Sequence, residues 1–401
     1  MSTLFQAVEL APRDPILGLN EQYLADQRPD KVNLGVGVYY DDQGRVPLLK
    51  CVHQAEVDRV KAAAAHSYLP IEGLASLNKA ARELVLGKDS EANTSGRAFT
   101  VQAVGGTGAL KIGADYLKQL LPEAKVAIST PSWENHRALF ERAGFEVVEY
   151  DYYDATTHGL NLAGMIKSIS ALPDGSIVVL HACCHNPTGV DPTAAQWREI
   201  ADAVKAKNHV PFLDMAYQGF GDGLTQDAAA VRLFVEMGMT CLISTSFSKS
   251  FSLYGERIGA LTVVTGNADE AKRVLSQVKR VIRTNYSNPP TFGAAVVAEV
   301  LGNDALFDMW ATELAEMRSR IKEMRDQLVA KLMAAGVAAN FDFVLAQKGM
   351  FSYSGLTAAQ VDKLRDDHGI YAVSSGRICV AALNSRNIDR VANAIIAVLK
   401  V

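Results

Sequence analysis

Ser246-Phe247-Ser248-Lys249-Ser250-Phe251-Ser252 sets one lysine among hydroxyls, with Arg257 two helical turns downstream. The apolar stretch Cys241-Leu242-Ile243 just before it reads as a buried strand. A lysine at the end of a buried strand loses part of its hydration. That disfavours the ammonium form, lowers the pKa and leaves an amine able to act as a nucleophile. Hydroxyls together with an arginine are what a phosphate dianion requires. A reactive amine beside a phosphate cradle points to pyridoxal 5'-phosphate, held as a Schiff base on Lys249.

Other strand-like runs also end in residues able to do chemistry. Ile177-Val178-Val179-Leu180 leads into His181-Ala182-Cys183-Cys184-His185-Asn186-Pro187-Thr188-Gly189. Val210-Pro211-Phe212-Leu213 leads into Asp214-Met215-Ala216-Tyr217. Phe99–Val104 ends in Gly105-Gly106-Thr107-Gly108, which reads as a glycine turn feeding a helix from Ala109. Such a turn offers backbone N–H groups at the positive end of a helix dipole. Singly, each signal is explained about as well by a tight turn, a helix cap or a surface charge. In an open parallel sheet, however, ligands bind at the carboxyl ends of strands. The spacing therefore brings Asn186, Asp214, Tyr217 and Lys249 to one rim.

The elements that must hold that rim are visible as texture. Runs at 126–129, 146–150, 177–180, 210–213, 241–244 and 259–264 alternate with amphipathic stretches. In 194–204, apolar residues recur at Trp197, Ile200, Ala201 and Val204. The alternation predicts an α/β fold: a large domain with a mostly parallel sheet flanked by helices, plus a smaller α+β domain. The boundaries are set at 40–315 for the large, cofactor-binding domain. The small domain takes 1–39 and 316–401, and a long charged helix over 304–333 links the two. Thr357 is placed as the N-cap of a later helix.

Composition narrows the function. The chain has 401 residues, 49% hydrophobic and 21% charged, enough for two domains with a sizeable core. A net charge of −4 argues against nucleic acid as a partner. No run reaches the roughly 18 apolar residues of a membrane helix. The N-terminus carries no basic region followed by an apolar run, so a cytoplasmic location is expected. Five scattered cysteines without ligand spacing read as buried reduced thiols, and the histidines form no metal motif.

Asn186-Pro187-Thr188-Gly189, Asp214 with Tyr217, and Ser246-x-Ser248-Lys249 with Arg257 together resemble the class I aminotransferases. These are pyridoxal-phosphate enzymes of the aspartate aminotransferase fold. The resemblance runs from Asp14-Pro15-Ile16 to Ser375-Gly376-Arg377. Asn285-Tyr286-Ser287-Asn288-Pro289-Pro290 and 350–356 are similar to the bacterial aspartate and aromatic amino-acid (tyrosine) branch.

The resemblance implies a role for each residue. Lys249 would bind the cofactor aldehyde and then shuttle the substrate α-proton. Asp214 would face the pyridine nitrogen, backed by His136. Tyr217 and Asn186 would hydrogen-bond the ring oxygen, and Trp133 would stack on the ring. Gly106, Thr107, Gly108, Ser246, Ser248 and Arg257 would hold the phosphate, with Tyr68 reaching in from a second subunit of a homodimer. Arg377, helped by Asn186, Trp133 and the backbone of Gly37, would hold the α-carboxylate. Arg283, also from the partner, would meet a second carboxylate.

The implied activity is transfer of the amino group of aromatic amino acids and aspartate to 2-oxoglutarate by a ping-pong cycle. The alternative is an aspartate enzyme with little aromatic activity. Tyr40 and Val46 resemble the aromatic branch, whereas Val38, Thr107 and Asn288 resemble the aspartate branch. A nicotinamide dehydrogenase would need an early dinucleotide fingerprint, which this sequence lacks. A pyridoxal-phosphate lyase or decarboxylase would have no use for Arg283. A non-catalytic dimeric binding protein would have no use for the set of Lys249, Asp214, Asn186, Tyr217 and both arginines.

Overall fold

A computed structural model describes residues 3–12, 14–65, 67–337 and 340–400. Its centre is a seven-stranded sheet. We number the strands β1 (Ala98–Val104), β2 (Lys125–Thr130), β3 (Glu146–Asp151), β4 (Ile177–His181), β5 (Val210–Met215), β6 (Cys241–Ser246) and β7 (Ile258–Val264). Across the sheet they lie in the order β1-β7-β6-β5-β4-β2-β3. The expected runs thus become strands, most of them a residue or two longer than the apolar core that signals them. Every residue of β4, β6 and β7 is buried. Successive side chains go to opposite faces: Ile177 and Val179 enter one core, Val178 and Leu180 the other. Burial on both faces is why these runs are apolar throughout rather than alternating.

One strand departs from the parallel expectation. β7 pairs antiparallel with both β1 and β6. The connection from β6 to β7 is therefore short, and it is made of turns rather than the helix that the Lys249–Arg257 spacing suggests. Because β7 starts where β6 ends, Arg257 stands at the same rim as Lys249. An all-parallel sheet would have required a crossover and carried Arg257 to the far edge.

Four helices frame the rim: α1 (Gly105–Leu120), α2 (Glu134–Arg142), α3 (Ala194–Ala206) and α4 (Ala268–Asn285). α1 begins at Gly105, so Gly105 to Gly108 form its first turn and not a turn ahead of it. α3 is opened by a capping box between Thr193 and Gln196, two residues of complementary reach. The long helix α5 (Asp304–Ala334) is capped by Asn303, whose side chain accepts from the Leu306 N–H at 3.1 Å. It passes residue 315 without a break. Near its start, Trp310 is fully buried, stacks on Phe251 with centroids 4.6 Å apart, and donates to the Ser250 carbonyl at 2.7 Å. Further along, Arg320 donates to the carbonyls of Tyr40 and Leu383.

The two ends of the chain meet. Val32–Asn33 pairs in parallel with Ile370–Tyr371. β8 (Phe351–Tyr353) pairs antiparallel with β9 (Arg377–Cys379), setting Tyr353 opposite Arg377. Helices α6 (Ala358–His368) and α7 (Ile388–Leu399) cover this smaller layer, and Thr357 caps α6 as expected.

Candidate active site

The carboxyl ends of β1, β2, β4, β5 and β6 open on a cavity of about 400 Å3. Its lining includes Gly37, Gly106, Thr107, Trp133, Asn186, Asp214, Tyr217, Ser246, Ser248, Lys249, Arg257 and Arg377. The residues picked out on seven separate stretches of sequence thus share one space. Gly108 does not line it, because it faces Val104 from within the helix. Tyr68 and Arg283 are absent from the lining too, and both are exposed.

Lys249 ends up half-buried, facing the cavity, although it carries an amine. Burial pulls its pKa down to about 8, Asp214 opposes that pull, and Arg257 and Arg377 reinforce it. The Nζ lies 4.9 Å from the centroid of the Tyr217 ring. Burial keeps the Tyr217 phenol protonated well above its ordinary range. Burial also works to raise the Asp214 carboxyl, but hydrogen bonds outweigh it and hold the group below the usual carboxylate range. His136 Nε2 sits 3.0 Å from Oδ2, and Ser244 donates to Oδ1 at 3.1 Å. His136 is itself fixed by Ser132 at 2.9 Å. Asp214 is therefore an anion aimed into the cavity at a place where an isolated carboxylate would be costly.

A second cluster is built for an anion. Arg257 Nη1 donates to Ser248 Oγ at 3.1 Å and to the Tyr254 carbonyl at 3.1 Å. The Ser248 N–H is 3.3 Å from Ser246 Oγ. Beside them lies the N-terminus of α1, which no side chain caps. Its free N–H groups and dipole favour a negative group. Gly105 has φ +70, and a Cβ there would strike the Arg257 guanidinium, so only glycine lets helix and arginine converge.

Arg377 forms a third cluster. Its side chain is 1% exposed, with Nη1 donating to Asn186 Oδ1 at 3.1 Å and Nη2 donating to the Gly35 carbonyl. Its Nε is buried with no partner among the described residues. An unfilled donor on a buried guanidinium is a place for a carboxylate oxygen.

Sequence reading passed over several residues in or just behind the lining. Ser244 shares a face of β6 with Ser246, a period-two signal that the lysine overshadowed. His181 ends β4, lines the cavity, and has both ring nitrogens buried without partners among the described residues. Its pKa is driven well below the ordinary histidine value by burial and by the neighbouring His185 and His136. Phe351 lies under the Arg377 guanidinium, 4.3 Å from its carbon to the ring centroid. Tyr254 lines the floor and receives the Tyr39 N–H on its hydroxyl at 2.9 Å.

An anionic carboxylate, an amine with a lowered pKa and an anion cradle around one cavity fit pyridoxal phosphate, which has a basic ring nitrogen, an aldehyde and a phosphate to match them. Comparison with known proteins agrees. The chain is 62% identical over 397 residues to an aspartate aminotransferase of Pseudomonas aeruginosa, covering 99% of this chain and all of that one. It is 49% identical to the aromatic-amino-acid aminotransferase of Escherichia coli, covering 99% of this chain and all of that protein. Among solved structures, an aromatic-amino-acid aminotransferase of Burkholderia pseudomallei, covalently bound to pyridoxal phosphate, superposes with a TM-score of 0.97 at 62% identity. The match covers 99% of this chain and 100% of that one. The family model for aminotransferase class I and II matches residues 29–395, and the chain belongs to that family.

Proposed function

We propose that this aminotransferase moves the amino group of aromatic amino acids and aspartate to 2-oxoglutarate, with the two substrates using one cavity in turn. The observation that carries the reading is that Lys249, a half-buried amine whose pKa is pulled down to about 8, shares one cavity with the Asp214 anion and two arginines. Pyridoxal phosphate, when bound, supplies a conjugated electron sink for the substrate α-carbon.

The residues around it then divide the work. Lys249, with its amine free and neutral, would take the substrate α-proton and hand it to the carbon that was the cofactor's aldehyde. Asp214, steadied by His136 and Ser244, keeps the pyridine nitrogen protonated. Tyr217 and Asn186 offer hydrogen bonds to the ring oxygen, and Trp133 covers one ring face. Arg257, Ser246, Ser248, Gly106 and Thr107 hold the phosphate, with Gly108 shaping the first turn of α1. Arg377, Asn186 and the Gly37 backbone orient the α-carboxylate.

Tyr68 and Arg283 complete the site from a second copy in a homodimer. What supports this is their exposure and their absence from the lining of their own subunit's cavity. We take residues 40–315 as the large domain and 1–39 with 316–401 as the small one, since the terminal strands pair with each other. A cytoplasmic setting suits five free, buried cysteines. No described helix is long and apolar enough to cross a membrane.

For aromatic side chains, the support is a shallow groove adjoining the cavity, lined by Val38, Tyr40, Val46 and Leu253. The Pseudomonas relative is named for aspartate and the Burkholderia structure, at the same identity, for aromatic amino acids, so the names do not select the second reading, an aspartate enzyme with little aromatic activity. Initial rates with phenylalanine, tyrosine and aspartate against 2-oxoglutarate separate the two. Comparable turnover of all three supports the proposal, turnover of aspartate alone selects the second reading, and inactivity with all three defeats both.

A further inference from the structure

Arg325 is a buried charged residue for which the chemistry above has no use. It lies on α5, is 4% exposed, and donates only to neutral oxygens among the described residues. Nη2 reaches the Gly349 carbonyl at 2.7 Å and the Phe351 carbonyl at 3.2 Å, and Nε reaches Ser352 Oγ at 3.3 Å. Burial presses its pKa down to about 10. A buried guanidinium without an anion is expensive, and a methionine would fill similar space without that cost. All three acceptors belong to one short run, 349–352, so the side chain acts as a staple for that run.

That run carries Phe351, which is held on several sides. Its ring packs under the Arg377 guanidinium at 4.3 Å and meets the Tyr217 ring edge-on with centroids 5.9 Å apart. A Cβ on Gly37 would come within 2.7 Å of the ring tip, so the Gly37 backbone closes the remaining side. The strand carrying Phe351 is only three residues long and pairs with β9 alone, which itself holds Arg377. A two-stranded ribbon of that length does not hold its own position. The planar fork of Arg325 supplies three donors in fixed geometry to the strand end, which a lysine would not reproduce.

We propose that Arg325 is a positioning residue for the carboxylate clamp, fixing Phe351 so that its ring holds the Arg377 guanidinium in the orientation that receives the substrate carboxylate. Arg325 itself touches neither substrate nor cofactor. The inference rests on the assignment of Arg377 as the carboxylate site.

The test uses the holoenzyme and two inert carboxylates, succinate and 3-phenylpropionate, with affinity read by calorimetry. Cofactor retention and thermal midpoint are followed alongside. R325K keeps the charge and loses the fork; F351L removes the ring and leaves the staple. Each single change is expected to weaken both probes about tenfold, the scale of a desolvated cation–ring contact. The double variant is expected to lose no more than the worse single one, because both act on one contact. Cofactor is retained in all of them, and turnover suffers through KM rather than kcat.

If R325K does not fold, S352A removes one acceptor and replaces it in the cycle, with an expected loss of about twofold to threefold that vanishes in the F351L background. Additive losses, or folded variants that bind the probes as tightly as the unaltered protein, overturn the proposal. Failure of the unaltered protein to bind either probe, or of R377K to weaken them, strikes the Arg377 assignment instead.

Discussion

Lys249 shows how much one side chain owes to its surroundings. Its lowered pKa comes from burial first, and two nearby guanidiniums add to it. In the cofactor-free protein the free-amine fraction should rise about tenfold per pH unit up to pH 8 and then level off. Trinitrobenzenesulfonate labelling of Lys249, followed by peptide mapping, reads that profile; a midpoint near 10.5 would show that the amine is solvated. Lys249→Ala should lower kcat by about a thousandfold or more, since both the covalent anchor and the proton carrier are lost. Exogenous amines offer a check, since partial rescue by methylamine would show that the missing part is a base.

At the opposite end, Arg377→Lys gives up the two-pronged geometry while keeping the charge. A hydrogen bond to a charged group is worth about 1.5–3 kcal/mol, so KM should rise roughly tenfold to a hundredfold for every substrate. An unchanged KM would place the carboxylate elsewhere. Lys249 was legible in the sequence because it follows an apolar run at a strand end, whereas Arg377, which opens β9, was picked out through the family resemblance. Phe351 and Arg325 were not, since neither spacing nor residue type tells that a helix residue will grip the backbone of a distant strand.

The elements explain which contacts are rigid. Trp310 on α5 holds the Ser250 carbonyl, one residue from Lys249, and stacks on Phe251. Trp310→Ala should cost about 3–5 kcal/mol by the usual scale for emptying a buried aromatic site, read as a drop in the denaturation midpoint at unchanged slope. A loss below about 1 kcal/mol would mean that the Lys249 turn is held by the sheet alone. Most strands and α5 could be read from pattern, because double burial leaves continuous apolar runs and α5 repeats its apolar face over many turns. Strand direction could not. β7 looks like its parallel neighbours by composition, and only the short link from β6 reveals that it runs the other way. The glycines at 105–108 were read as a turn because glycine usually breaks helices. Here the demand for close approach to Arg257 outweighs helix propensity.

At the scale of the whole molecule, the proposed function has a second copy bring Tyr68 and Arg283 to the cavity. Mixing a Lys249→Ala chain with an Arg283→Ala chain tests this directly. After subunit exchange, half of the molecules are hybrids with one intact site each, so aspartate activity should recover to about a quarter of the unaltered value. No recovery despite proven exchange would place Arg283 outside the site. The same change alone should depress aspartate turnover far more than phenylalanine turnover, because only the dicarboxylate has a second charge to lose.

The pairing of Val32–Asn33 with Ile370–Tyr371 carries its own consequence for how the chain is made. Arg28, just before that strand, donates to the carbonyl of Asp366, 338 residues later in the chain. At ribosomal speeds of roughly 5–20 residues per second, the leading segment waits on the order of half a minute for its partner. The central sheet, whose strands lie between 98 and 264, is complete well before that. Assembly therefore runs from the middle outward, and the segment around Arg28 and Val32 is among the last to find its place.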